Sequence, residues 1–122
     1  RVIWGGLVPY DEVWVTGAHS ATSISFSKDV RINGTTIPKG KYGFFTIPGK
    51  ASWILILNKN WDQHLTDEYN PGEDLVRVNV VPVTGLPLAE RLTYRIEERD
   101  NGQGAVIMQW ETLSVALDFR AK

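Results

Sequence analysis

The chain predicts a single antiparallel β-sandwich, jelly-roll-like or barrel domain of about eight or nine strands. Three observations carry that prediction. Apolar and polar residues alternate at period two along most of the sequence, helical periodicity is nearly absent, and turn signals recur at near-regular spacing.

The elements follow in order. Ser23-Ile24-Ser25-Phe26-Ser27 puts two apolar side chains on one face and three serines on the other, the pattern of a strand with one wet face. Val30 and Ile32 run into Asn33-Gly34, and Thr35, Thr36 and Ile37 follow. Asn-Gly between alternating segments predicts a type I′ hairpin, because both central residues need positive φ. Pro38 and Gly40 mark the next turn. Tyr42–Ile47 and Trp53–Leu57 then carry apolar groups on both faces, which predicts central strands covered on each side. Further strands are read from Val76/Val78/Val80, Leu92/Tyr94/Ile96, Val106/Met108/Trp110 and Leu113/Val115/Leu117/Phe119. Asp100-Asn101-Gly102 and Glu111-Thr112 supply tight connections. Asn58–Gly72 breaks the rhythm as one long loop, with a short helix expected around Asp62–Tyr69, and Thr16–Ala21 is a second irregular stretch.

Composition bounds the function. The 122 residues, 43% hydrophobic and 22% charged, suffice for one domain spanning 1–122 and show no linker or internal repeat. Thirteen Lys+Arg against fourteen Asp+Glu leave a net charge of -1, so the electrostatic footprint for nucleic acid is missing. The absence of cysteine excludes disulfides, thiolate metal sites and Cys nucleophiles. Apolar runs are far shorter than the ~20 residues of a membrane-spanning helix, so no transmembrane segment is expected. The sequence opens on Arg1-Val2-Ile3-Trp4 without an initiator Met or signal-peptide pattern, which reads as a trimmed or mature form.

Certain clusters resemble a known family. Trp4-Gly5-Gly6-Leu7-Val8-Pro9-Tyr10, Glu12-Val13-Trp14 and Thr16-Gly17-Ala18 look like its opening signature. Ala21-Thr22, Ile32-Asn33-Gly34, Ile37–Gly43 and Phe45–Gly49 continue the match, followed by Asn58-Lys59-Asn60-Trp61, Tyr69, Asp74 and Arg77. The chain resembles the bacterial domain-of-unknown-function family 2911, common in Bacteroidetes. Members usually carry an export or lipoprotein signal, so the resemblance implies a periplasmic, cell-surface or secreted location. It implies no activity and no catalytic residues. Members often read Gly-Ala-Asn-Glu where this chain has Gly17-Ala18-His19-Ser20.

Candidate chemistry concentrates in the two irregular segments. On a short helix His64, Asp67 and Glu68 would share a face, with Asp62 nearby, as nitrogen and carboxylate ligands for a metal ion. The paired-histidine spacing of a zinc helix is missing, so no metal or other cofactor is expected. Ser20 or Thr22 beside His19 offers a nucleophile without the strand-turn-helix context of a hydrolase, and Glu12, Asp62, Asp67 and Glu68 offer carboxylates without a readable separation. Asn33-Gly34-Thr35 reads as a hairpin rather than a glycosylation acceptor, and Gly40–Gly43 lacks the spacing of a dinucleotide site.

The aromatic residues point further. Tyr94 and Trp110 fall on core faces, whereas Trp14, Trp61 and Tyr69 read as candidates for solvent-facing rings. Exposed rings can stack on a sugar face or anchor a partner; alternatively, the long loop folds over a sheet and buries its own rings. The expected binding residues are therefore Trp14, His19, Trp61, His64, Asp67 and Tyr69. The first expectation is a non-catalytic envelope module binding a glycan or small apolar ligand. An assembly domain contacting a partner protein ranks second, and a hydrolase or metal-dependent enzyme third.

Overall fold

Period-two alternation becomes nine strands among the residues the structure describes, arranged as two antiparallel sheets packed face to face. The computed structural model describes residues 2–17, 22–62 and 69–122. The four-stranded sheet runs β1 (Thr22–Phe26), β4 (Gly40–Ile47), β5 (Trp53–Asn58), β6 (Asp74–Val80). The five-stranded sheet runs β3 (Thr35–Ile37), β2 (Val30–Ile32), β9 (Leu113–Ala121), β8 (Gln103–Glu111), β7 (Ala89–Glu98). Among the described residues the only helical turns are short 3-10 turns at Pro71–Glu73 and Asp100–Gly102. The segment expected to hold a helix falls mostly on 63–68, outside the described residues.

The predicted turns take the predicted backbone. Asn33 and Gly34 adopt φ of 49° and 82°, closing the β2–β3 hairpin. Asn101 and Gly102 lie at 63° and 74° before β8, and Glu111 at 55° starts the tight β8–β9 connection.

Register explains the core. Phe44 opposes Leu57, which opposes Val76; Trp53 opposes Val80. These side chains meet Val106, Met108, Val115 and Leu117 of the facing sheet. Phe26 closes one end against Phe119, ring centroids 5.4 Å apart. The outer face of β4 and β5 is also apolar, as their sequence predicts. Phe45 and Ile56 are fully buried there beneath Val15, with Ile47, Ile54 and Tyr69 packed around them. Burying each such side chain contributes about 2–3 kcal/mol.

What covers that outer face are two irregular segments. Residues 13–16 extend the lane beside β4 past the point where β1 begins at Thr22. Trp14 and Thr46 exchange both backbone hydrogen bonds, at 2.8 and 3.1 Å. The start of the long loop crosses β4 at Gly43, where a Cβ would lie 2.8 Å from the Asn60 carbonyl oxygen. Glycine there lets the loop lie flat on the sheet.

Candidate ligand-binding site

Four of the five tryptophans gather at one end of the sandwich. Trp14 projects from its bridge with Thr46 into the space between the sheets. Trp53 reaches in from β5, fully buried, and Trp110 from the last turn of β8. The Trp110 indole N–H donates to the Glu90 carbonyl at 3.2 Å, which fixes its ring. Trp14 and Trp110 lie nearly parallel, 6.0 Å between centroids and 20° between planes. Trp4 wedges edge-on against Trp53, Trp110 and Trp14, at 5.0, 5.7 and 5.9 Å.

A tight loop delivers Trp4. Gly5 at φ 81° donates to the Val8 carbonyl at 2.8 Å, and Val8 donates back to Ile3 at 2.8 Å. The turn buries Ile3 and Val8 and leaves Leu7 exposed above the rings. A cleft of about 410 Å³ opens between this loop and the edge of the sandwich. Leu7, Val8, Trp14, Gly17, Leu92 and Trp110 line it, and none of them is ionisable. Its size lies within the range of small-molecule sites. Among the described residues, the one enclosed side-chain donor lacking an acceptor is the Trp4 indole N–H, on a ring that touches both Trp14 and Trp110.

The wall beside the cleft is pinned by a shared acceptor. Thr16, buried with φ 59°, offers its carbonyl to the Thr22 hydroxyl at 3.0 Å and to the Tyr94 phenol. Burial raises the Tyr94 pKa well above the ordinary tyrosine value. Leu92 and Tyr94 pack inward along β7, and Ile96, two residues on, is exposed. Leu92 lines the tryptophan cleft, whereas Ile96 lines a second concavity of about 340 Å³ with Phe26, Val106 and Phe119. Tyr94 stands between them, edge-on to Phe44 at 6.3 Å.

Of the expected binding residues that the structure describes, Trp14 lies apart from Trp61 and Tyr69. Trp14 belongs to the tryptophan group between the sheets rather than to solvent. Trp61 is 42% exposed and lies over the outer face of β4, with the Lys41 ammonium 3.8 Å from its ring centroid. Tyr69 packs on Phe45, centroids 5.0 Å apart, within the outer cluster. Among the described residues no ring contact joins Trp14 to Trp61 or Tyr69. His19, His64 and Asp67 lie outside the described residues, as do Ser20 and Glu68. No group of three His, Cys, Asp or Glu side chains able to hold a metal occurs among the described residues.

Tyr69 anchors a polar clamp instead. Its phenol donates to Asp74 Oδ2 at 2.6 Å, and Arg77 donates to that same oxygen at 2.8 Å and to the phenol at 3.0 Å. Asn58, fully buried, donates to Asp74 Oδ1 at 2.8 Å and to the Asn70 carbonyl at 3.0 Å. A register shift between Leu57 and Asn58 brings Asp74 opposite Asn58, as a β-bulge re-aims a side chain.

Burial and the hydrogen bond to Asp74 push the Tyr69 pKa up to about 12. Its folded value therefore exceeds the unfolded one near ~10. The stability this group contributes is complete below pH ~10 and disappears as pH rises through ~12. Tyr42 and Tyr94 are raised with the same sign, chiefly by burial. An alkaline titration followed by tyrosinate absorbance should show late-ionising tyrosines, with one late step missing in Tyr69→Phe. Ionisation of every tyrosine near pH ~10 in a still-folded protein would contradict this.

These features define a class: an antiparallel β-sandwich domain with a tryptophan-lined cleft at one end. A family model described as a protein of unknown function, DUF2911, matches residues 1–119, and the chain belongs to that family. No curated protein and no solved structure matches the chain.

Sequence reasoning missed Leu7, Val8, Leu92 and Trp110 as cleft residues. The Trp-Gly-Gly-Leu-Val run was the available signal, because a glycine-built loop beside a tryptophan invites a close backbone turn. No helix among the described residues is long and apolar enough to cross a membrane.

Proposed function

We propose that the domain is a non-catalytic module that binds a small apolar ligand in the tryptophan-lined cleft. The observation carrying this reading is the composition of the walls: two near-parallel indoles, two leucines and a valine around a concavity of about 410 Å³. Such walls favour an apolar molecule over a glycan, which needs convergent polar partners. A periplasmic, cell-surface or secreted setting is part of the proposal, supported by the export signals typical of family members. Cell fractionation of the full-length protein tests that part.

The binding reading is tested with neutral aromatic probes, indole and 1-naphthol, by calorimetry and tryptophan fluorescence. The expected result is saturable binding weakened at least about tenfold by Leu7→Arg. Leu7 is 57% exposed, so that charge enters the mouth of the cleft without disturbing the core. Binding that is absent, or indifferent to Leu7→Arg and Trp110→Phe, overturns the proposal. Oligosaccharide binding lost in Trp61→Ala would instead favour a glycan surface on the exposed ring.

A further inference from the structure

On the outer face of the five-stranded sheet, Arg31 of β2 and Arg120 of β9 are direct cross-strand partners. Arg120 is in turn opposite Gln103 of β8. This rung sets two guanidinium groups and an amide side by side across three strands, with no carboxylate among them. Like charges directly opposite one another destabilise a sheet. The chain holds fourteen acidic residues, yet neither arginine forms an ion pair among the described residues. Arg31 commits one nitrogen to the Gly34 carbonyl at 3.3 Å.

A shallow concavity of about 240 Å³ lies over the rung. Arg31, Arg99 and Arg120 line it with Asn33 and Gln103, and among the described residues Asp118 is the one carboxylate in its wall. Asp118 lies 3.6 Å from Arg99, which also meets Glu97 at 3.2 Å, so the local acids are drawn to Arg99 and away from the other two. The result is a cationic recess with unused guanidinium donors and amide donors at its rim. Planar guanidinium forks match the oxygens of tetrahedral anions in a bidentate way.

We propose that this rung is a binding site for a phosphate group, free or as a monoester, held by Arg31 and Arg120 with Gln103 and Asn33 donating from the rim. It shares no residue with the tryptophan cleft and stands independently of the ligand proposed there. A phosphate dianion would neutralise the facing arginines and convert the repulsive rung into a bridged one.

Melting and calorimetry at low ionic strength, with inorganic phosphate against chloride at matched ionic strength, test the site. Phosphate at ten times its Kd should raise Tm by about 5 °C. Arg31→Gln and Arg120→Gln should each lose that shift and, in phosphate-free buffer, melt above the parent because the repulsion is gone. Both residues are exposed, so both variants retain the core. A phosphate shift no larger than that of chloride, or one kept in the double variant, overturns the proposal. Methyl phosphate and phosphatidic acid vesicles, with phosphatidylcholine vesicles as control, separate the sources. Arginine-dependent binding to the acidic vesicles assigns the group to a lipid headgroup, and binding to the soluble ester alone assigns it to a soluble phosphoester.

Discussion

Trp53→Ala is expected to lower the unfolding free energy by about 4 kcal/mol and Tm by about 15 °C. Trp53 is only 1% exposed and packs against Trp4 and Trp14 at centroid distances of 5.0 and 6.4 Å. Its removal leaves a cavity that the neighbouring rings cannot fill, because each is held by its own backbone. Trp14 is fixed through Thr46, and Trp4 through the loop closed at Gly5 and Val8. Ring-ring attraction adds about 0.5–1.5 kcal/mol per pair to the loss. Trp61→Ala serves as the internal contrast and should cost under about 1 kcal/mol, since that ring is half in solvent and gains mainly from Lys41. Urea unfolding of both variants decides the matter. Equal losses would mean that the tryptophan group does not hold the sandwich closed.

Asp74→Ala is expected to cost about 2–4 kcal/mol. The carboxylate is 8% exposed and accepts from Tyr69, Arg77 and Asn58 together. Deleting it takes one acceptor from the half-buried phenol and one from the buried amide, the costly side of a lost hydrogen bond. The ion pair itself contributes little of this, because the Arg77 side chain is 43% exposed and solvent screens it. Arg77→Ala should therefore cost under about 1 kcal/mol. A double-mutant cycle of Asp74→Ala with Tyr69→Phe should show coupling above about 0.5 kcal/mol, and strict additivity would dissolve the clamp into independent contacts.

Local pattern made much of the fold legible. The serines of Thr22–Phe26 do face out while Ile24 faces in, and Asn33-Gly34 does turn the chain. Tyr42–Ile47 and Trp53–Leu57 carry apolar groups on both faces because they are the two middle strands of their sheet, clad on either side. That same double cladding concealed the direction of Trp14. With Val13 and Val15 flanking it, alternation identifies two faces without saying which one is interior, and the backbone exchange with Thr46 turns the ring inward.

Trp110 is an inward residue, as its alternation predicts, but its burial depends on how far the opposite sheet extends. Period two carries no information on that. Among the described residues, the Leu7 loop and Gly17 are what face Trp110 across the cleft. The Arg31–Arg120 rung is equally invisible to local reading, since it depends on β9 choosing β2 as its neighbour. The outer-face role of Asn58, Tyr69, Asp74 and Arg77 depends on a bulge that no residue pattern announces.

The greasy strip formed by Phe45 and Ile56 beneath Val15 and Tyr69 has a consequence for biogenesis. A nascent chain whose sheets have paired, but on which Val15 and Tyr69 have not yet docked, presents a sticky band along its two central strands. Quality-control proteases and chaperones recognise such a band. Docking of Val15 and Tyr69 over it therefore removes the surface through which newly made molecules can be intercepted or clump together.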